Sequence, residues 1–498
     1  MSSATRRGLE IVAAALLLGA LADALLHGTP LGLNVPLWTV AFVGALAALA
    51  VRHGASLRGD RALMLGALVL FSALFVWRDS PALASLNATA LLTALAVGAL
   101  RDPAARARLA SLGDYARGYG EALEAAVAGG AVLVFGEIRW PEVARGAAAD
   151  RAAAVLRGLL IAVPLLVLFG ALFAAADAVF SDLLGLLVPE LSRPFDHALF
   201  VLAGAWISAG LLRRYLQRPA PVEREPRDGR VGATETVVAL VLVNALFLAF
   251  VLVQLRYLFG GASLVETDVG LTYAEYARRG FFELVAVTAL ALALLLVADW
   301  ALRRGRRRDE RLFRVLAAAL LLLVAVVMVS ALQRLRLYQR EYGLTELRLY
   351  ATAFVLWLAV VLGWFAGTVL RGRRHLFAGG AVAAALAAIV VLNAVNPDAV
   401  IARVNVDRAA ERRPVDLAYL LQLSDDAAPT LARALPGLEA ARAEHVGPPH
   451  VAATLLARAC PAGRDWRSWN VGRERADRAV REAARALRAL AGPLAPPC

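Results

Sequence analysis

Apolar residues in this chain gather in blocks near twenty residues long, and arginines punctuate the gaps between blocks. A hydrocarbon core of about 30 Å takes roughly twenty residues of helix to cross. Blocks of that size lie at 9–27, 33–51, 61–77, 81–100, 153–176, 197–216, 234–258, 281–302, 312–332, 346–370 and 376–395. The pattern predicts an all-α polytopic transmembrane bundle of about eleven spans. After Asn396 the composition turns charged and the apolar positions recur at helical intervals, which predicts a small helical C-terminal domain outside the membrane.

Four sections follow: four N-terminal spans over 1–100, a cytoplasmic amphipathic or re-entrant segment over 101–152, a seven-helix membrane region over 153–395, and the C-terminal domain over 396–498. Arg6 and Arg7 precede the first block, and every second gap is basic: Arg52, Arg58 and Arg61; Arg101, Arg106 and Arg108; Arg213, Arg214 and Arg218; Arg303, Arg304 and Arg306 to Arg308; Arg371, Arg373 and Arg374. Under the positive-inside rule one threading satisfies every cluster. It places the N-terminus in the cytoplasm and, after an odd number of crossings, the C-terminus on the extracytoplasmic side. The first block reads as an uncleaved anchor, with cleavage near Ala22-Asp23-Ala24 as the alternative. Residues 125–140, AAVAGGAVLVFGEIRW, are too short an apolar run for an ordinary span. Their crossing would also export the arginines at 303–308.

Composition agrees with this reading. A chain of 498 residues that is 60% hydrophobic and 19% charged has more apolar surface than a water-soluble core can hide. The +13 net charge brackets apolar segments rather than forming a soluble basic face, so it reads as topological anchoring to the lipid bilayer and not as nucleic-acid binding. No lysine occurs while arginine and alanine abound, the usage of a GC-rich bacterial genome. The expected location is therefore a bacterial cytoplasmic membrane.

Two outward loops repeat one theme. The first carries Arg256, Tyr257, Glu275 and Tyr276, and the second Arg334, Arg336, Glu341 and Tyr342. Arginines on this side oppose the charge bias, and two explanations stand. Neighbouring glutamates pair with them as a clasp, each exposed pair contributing about 0–1 kcal/mol, or the guanidinium forks hold an anionic ligand. Within the spans, Asp23 is the one carboxylate well inside an apolar block. Facing lipid it would cost about 2.5–3.5 kcal/mol, so it should face the bundle or water. Asn87, Asn244 and Asn393 sit in their spans where they can bond across helices, each bond contributing about 0.6 kcal/mol on average.

Cys460 and Cys498, the chain's only cysteines, both fall in the C-terminal section. An oxidising compartment there permits a disulfide, which would stabilise that section by roughly 4 kcal/mol. Trp466 and Trp469 share a face if helical, with packing in the C-terminal core as the default. Asp416 and Asp425 are expected to cap short helices. The six histidines, at 27, 53, 197, 375, 445 and 450, are scattered, and no metal-ligand or nucleophile motif appears. No metal, cofactor or catalytic residue is assigned.

Several stretches together resemble a bacterial membrane family catalogued as domain of unknown function 4173, with a related group numbered 4153. They are FVWRDSPALASLNATALL (75–92), LFAAADAVFSDLL (172–184), TYAEYARRGFFEL (272–284), LRLYQREYGLTELRLY (335–350), NPDAVIARVN (396–405), DLAYLLQLSDDAAPTL (416–431) and DWRSWNVGRERA (465–476). The resemblance implies an integral membrane protein and supplies no activity. The function expected from all of this is a non-enzymatic envelope sensing or scaffolding role. Its partners would be an envelope protein or an anionic ligand at the outer face. Transport of a small or anionic solute is the alternative, and a membrane-embedded enzyme comes third.

Overall fold

The computed structural model describes residues 1–100, 109–143, 192–218, 232–269, 281–302, 307–438, 443–444, 446–460 and 465–497, with scattered residues between 155 and 180. Side chains of 192–195, 233, 255–269 and 443–444 lie outside that description. The long helices are α1 (Ser3–Leu26), α2 (Asn34–His53), α3 (Asp60–Trp77), α4 (Pro81–Gly98), α5 (Leu112–Ala131), α6 (Ser192–Leu216), α7 (Ala233–Val269), α8 (Phe281–Ala301), α9 (Arg307–Tyr342), α10 (Glu346–Thr368) and α11 (Phe377–Val395). Among the described residues eleven helices are long and apolar enough to cross a membrane. The protein is an all-α polytopic bundle.

Membership of the eleven differs from the sequence expectation at one place. The block at 153–176 lies largely outside the described residues, and Leu112–Glu137 qualifies by length and composition. The apolar run at 125–140 is therefore not short: the helix begins earlier, where Ser111 and Asp114 form a reciprocal capping box, and runs on through a π turn at Val132–Glu137. Both halves of this helix are nonetheless tied to one end of α6. Glu121 pairs with Arg214, and Glu137 pairs with Arg213 at 2.8 Å. Gly129 and Ala125 meet Gly210 between those two pairs. Glu121 and Glu137 are thus both tied to the Arg213-Arg214 end of α6, while Gly130 packs on Trp206 farther along it.

The spans pack as two apolar clusters. One joins α1 to α6 through residues such as Ile11, Leu46, Leu133 and Leu212. The other joins α7 to α11 through Leu295, Leu320, Val324 and Phe365. A smaller cluster of Phe71, Leu74, Ala90 and Ile389 seats α11 on α3 and α4 and links the two. Leu17, Leu246 and Leu322 are each about 70% exposed on the outside of the bundle, as side chains facing lipid should be.

Asn396 ends α11 with a left-handed φ of 59° and at the same time caps the next helix, α12 (Pro397–Ala410), whose first residue is proline. Asparagine tolerates that conformation, and proline has no amide hydrogen to lose at the first helical position. Asn-Pro therefore turns the chain out of the last span. Beyond it come α13 (Leu417–Gln422), α14 (Ala428–Ala434), α15 (Pro448–Ala459) and α16 (Val471–Ala491). A short parallel strand pair aligns Val415 with Ala443. This C-terminal unit has its own core, which includes Ile401, Leu417, Leu431, Leu435, Val451, Leu455 and Leu487. Leu344, from the turn between α9 and α10, inserts into the same core.

Two expectations for this unit fail. Asp416 caps α13, accepting from the Tyr419 amide, but α14 has no side-chain cap. Asp425 is drawn elsewhere, toward Arg458 and Asp79. Trp466 and Trp469 are 61% and 45% exposed and do not enter the core. They sit on a single 3-10 turn whose Trp469 carbonyl accepts from Leu33, so the turn serves as a contact to the first interhelical loop.

Candidate functional site

The C-terminal unit sits on the end of the bundle opposite the arginine clusters. The decisive contact is made where α3 passes to α4 through Arg78, Asp79 and Ser80. Trp77 ends an apolar span and Pro81 opens the next, so the three polar residues between them are fixed at the bundle's end. Arg78 is only 8% exposed. Its Nε donates to the Asn393 carbonyl at 2.7 Å, its guanidinium pairs with Asp426 at 3.6 Å, and it lies over the Trp77 ring. The Asp79 amide donates to Asp426 Oδ2 at 2.7 Å. In return the Asp425 amide donates to Asp79 Oδ2 at 3.3 Å, and Arg473 pairs with Asp79 Oδ1 at 2.6 Å.

Asn470 completes the joint. Its side-chain oxygen accepts from the Gly472 and Arg473 amides and so caps the N-terminus of α16. Its side-chain nitrogen donates to the Phe75 and Arg78 carbonyls at the C-terminal end of α3, at 2.7 and 2.8 Å. One buried amide thus closes two helix ends that would otherwise each leave groups unpaired. Asp398, fully buried, accepts from the Ser424 amide at 3.3 Å and from its hydroxyl through Oδ2. Its Oδ1 has no hydrogen-bond partner among the described residues.

Burial sets the electrostatics of this joint. It pushes the Asp426 carboxyl up to about 6, against the opposing pull of the Asp79 amide and Arg78. It raises Asp79 as well, with Arg473 opposing, and it lowers Arg78.

A family model for domain of unknown function 4153 matches residues 65–434, well over half of the chain. The chain belongs to this family. The resemblance read from the sequence named group 4173 with 4153 as its relative, and the match is to domain of unknown function 4153. No curated protein and no solved structure matches the chain. The matched region of domain of unknown function 4153 contains Arg78, Asp79, Asn393, Asp398, Asp425 and Asp426, while Asn470 and Arg473 lie beyond it. Four stretches that carried the resemblance, around 75–92, 396–405, 416–431 and 465–476, meet at this one joint.

The residues singled out from the sequence are distributed differently. Glu275 and Tyr276 lie outside the described residues, as do the side chains of Arg256 and Tyr257. Arg334 donates to Gln254 Oε1 at 2.9 Å, and Arg336 is exposed. Arg408 of α12 donates to the Glu341 carbonyl at 2.6 Å, and Arg413 pairs with the Glu341 carboxylate at 3.9 Å. Tyr342 is exposed and meets the Tyr338 ring edge-on. Asn87 and Asn393 exchange amide hydrogen bonds at 3.3 and 2.9 Å, and Asn244 donates to the Leu316 carbonyl at 3.1 Å. Cys460 is disulfide-bonded, and Cys498, the chain's other cysteine, lies outside the described residues.

Asp23 has partners that sequence spacing did not reveal. His27 Nδ1 lies 2.8 Å from Asp23 Oδ1, and His197 Nδ1 lies 2.8 Å from both carboxylate oxygens. These three are the only group of three or more His, Cys, Asp or Glu among the described residues whose ligand atoms all lie close enough to hold a metal ion. The signal for the Arg78 joint was a charged pair, Arg78-Asp79, abutting a span on the side without arginine clusters.

Proposed function

We propose that this membrane protein is an envelope sensor or scaffold. In this reading the C-terminal unit is extracytoplasmic and transmits its state to the spans through the Arg78, Asp79, Asp426 and Asn470 joint. The observation that carries the reading is the seating of that unit. Among the described residues its contacts with the loops involve Ala24 to Leu33, Phe75 to Asp79 and Arg340 to Glu346, all at the end of the bundle away from the arginine clusters. The positive-inside rule makes that end extracytoplasmic. A unit that binds a partner there pulls on α3, α4 and α11 together. The asparagines that a transport pathway would enlist, Asn87, Asn393 and Asn244, instead donate to neighbouring helices, which is why sensing is preferred to transport.

Asn470→Asp tests the coupling. The aspartate keeps an acceptor for the α16 cap but turns a second oxygen toward the Phe75 and Arg78 carbonyls. Hydrogen exchange in nanodiscs should then speed up in residues 75–80 and 393–398 while the interior of α16 stays protected. Unchanged exchange in those two loops, or flux of an anionic solute in proteoliposomes of the wild type, would remove the sensor reading.

A further inference from the structure

We infer that Asp23, His27 and His197 form a binding site for a divalent transition-metal ion of the zinc class. The site is built by a close helix crossing. Gly19 of α1 packs so tightly on α6 that an added Cβ would strike the Val201 carbonyl and come within 2.7 Å of the Ala205 amide nitrogen. Gly204 answers it from the other helix. Asp23 follows Gly19 by one turn on the same face of α1, and His27 is the residue that ends the helix one turn later. His197 lies one turn before Val201 on α6. The crossing therefore brings together three residues that are 174 positions apart at their widest.

The geometry does not close as a hydrogen-bonded cluster. Three atoms, the two Nδ1 and Asp23 Oδ1, are mutually 2.8, 2.8 and 3.1 Å apart. If both imidazoles carry hydrogen on Nδ1 to reach the ionised carboxylate, two donors face each other at 3.1 Å. If only one does, the other Nδ1 presents a lone pair to a carboxylate oxygen at 2.8 Å. No tautomer satisfies all three contacts. A cation among them satisfies all three at once, since each atom then offers it a lone pair.

Zinc–nitrogen bonds of about 2.0–2.1 Å in a tetrahedral site put ligand atoms about 3.3 Å apart. The present separations reach that by opening a few tenths of an ångström. Two imidazoles favour zinc, cobalt or nickel over magnesium or calcium, which take oxygen ligands. His27 is held by stacking on Phe200, with ring centroids 5.0 Å apart and planes 2° from parallel. Three protein ligands leave a coordination position open, and His197 is the exposed member, with 57% of its side chain accessible. The site stands whether or not the C-terminal unit acts as a sensor.

The test uses full-length protein without a histidine tag, stripped with EDTA and titrated with Co2+ in detergent. The wild type should take up one Co2+ per chain with the strong visible absorption of a low-coordinate site, and one equivalent of Zn2+ should abolish that absorption. His197→Ala and Asp23→Asn should lose the absorption, with affinity falling by more than the roughly 10–100-fold that an outer-shell change costs. His53→Ala should keep it, because His53 pairs with Glu10 and lies outside the cluster. His197→Ala removes a largely exposed ring, so it should melt like the wild type in EDTA and fail to gain stability with Zn2+. Absence of the absorption in the wild type overturns the inference, and so does its persistence in His197→Ala.

Discussion

The residues of the joint are costly to bury and therefore sensitive to change. Removing one partner of a buried ion pair typically costs about 3–5 kcal/mol, because the other charge is left without compensation. Asp426 adds a pH dependence. Burial pushes its carboxyl from the ordinary aspartate range up to about 6, so the folded state holds the proton more tightly than the unfolded chain does. Its stabilising contribution is complete below the unfolded value and is lost as the pH rises through about 6. Arg78 and Asp79 face it from the α3–α4 connection and Asp398 from α12, with Arg473 and Arg475 from α16 near the first two. Melting temperatures measured between pH 4.5 and 7.5 should therefore fall with rising pH by an amount equivalent to at most ~3 kcal/mol. Asp426→Asn should flatten this trend, and a variant with the same slope as the wild type would show that another group sets it. Asn87→Leu tests the asparagine pair. A double-mutant cycle with Asn393→Leu should return a coupling of about 0.6–1.7 kcal/mol.

At the scale of elements, α5 qualifies as a span by length and hydropathy, and its contacts with α6 are fixed by particular residues. Its fixed points are small residues and arginines. An added Cβ at Gly210 would fall on the Ala125 carbonyl, so Gly210→Ala should push α5 away from α6 and cost about 1–3 kcal/mol. Gly363 of α10 has open space around it, and Gly363→Ala should be neutral or stabilising by up to about 1 kcal/mol. Thermal melts of the two variants side by side check this, and equal losses would argue against the close crossing. The C-terminal α16 was legible as an amphipathic helix because Val480 and Leu487 recur at its buried face, with Ala476 and Ala491 beside them.

For the molecule as a whole the prediction is topological. If the proposed threading holds, a membrane-impermeant maleimide applied to intact cells should label Cys460 only after reduction and without lysis, since Cys460 is disulfide-bonded. Labelling that requires lysis would place the unit in the cytoplasm and reverse the assignment of every loop. The same experiment tests the proposal that α5 does not cross. A cysteine introduced at Glu121 and another at Glu137 should both stay unlabelled in intact cells, since both positions pair with the Arg213-Arg214 end of α6.

The sequence by itself determined the class of molecule, ten of its long apolar helices and the charged end of the bundle. Hydrophobic run length and arginine placement are properties of the chain read locally, and the bilayer imposes the same requirement on every span. The Asn396-Pro397 turn was equally local, its left-handed φ and proline start being settled by two adjacent residues. Only the tertiary structure decided which polar residues meet. Arg78 and Asp426 are separated by most of the chain, and so are Asn470 and Phe75. Asp23 reaches His197 only because Gly19 lets two backbones approach. Those contacts depend on where helices cross, and crossing is set by packing between distant segments that no local period records. The arginine and tyrosine loops stand out in the sequence because their residue types are conspicuous. The joint that holds the C-terminal unit is made of ordinary aspartates and asparagines whose importance comes from burial.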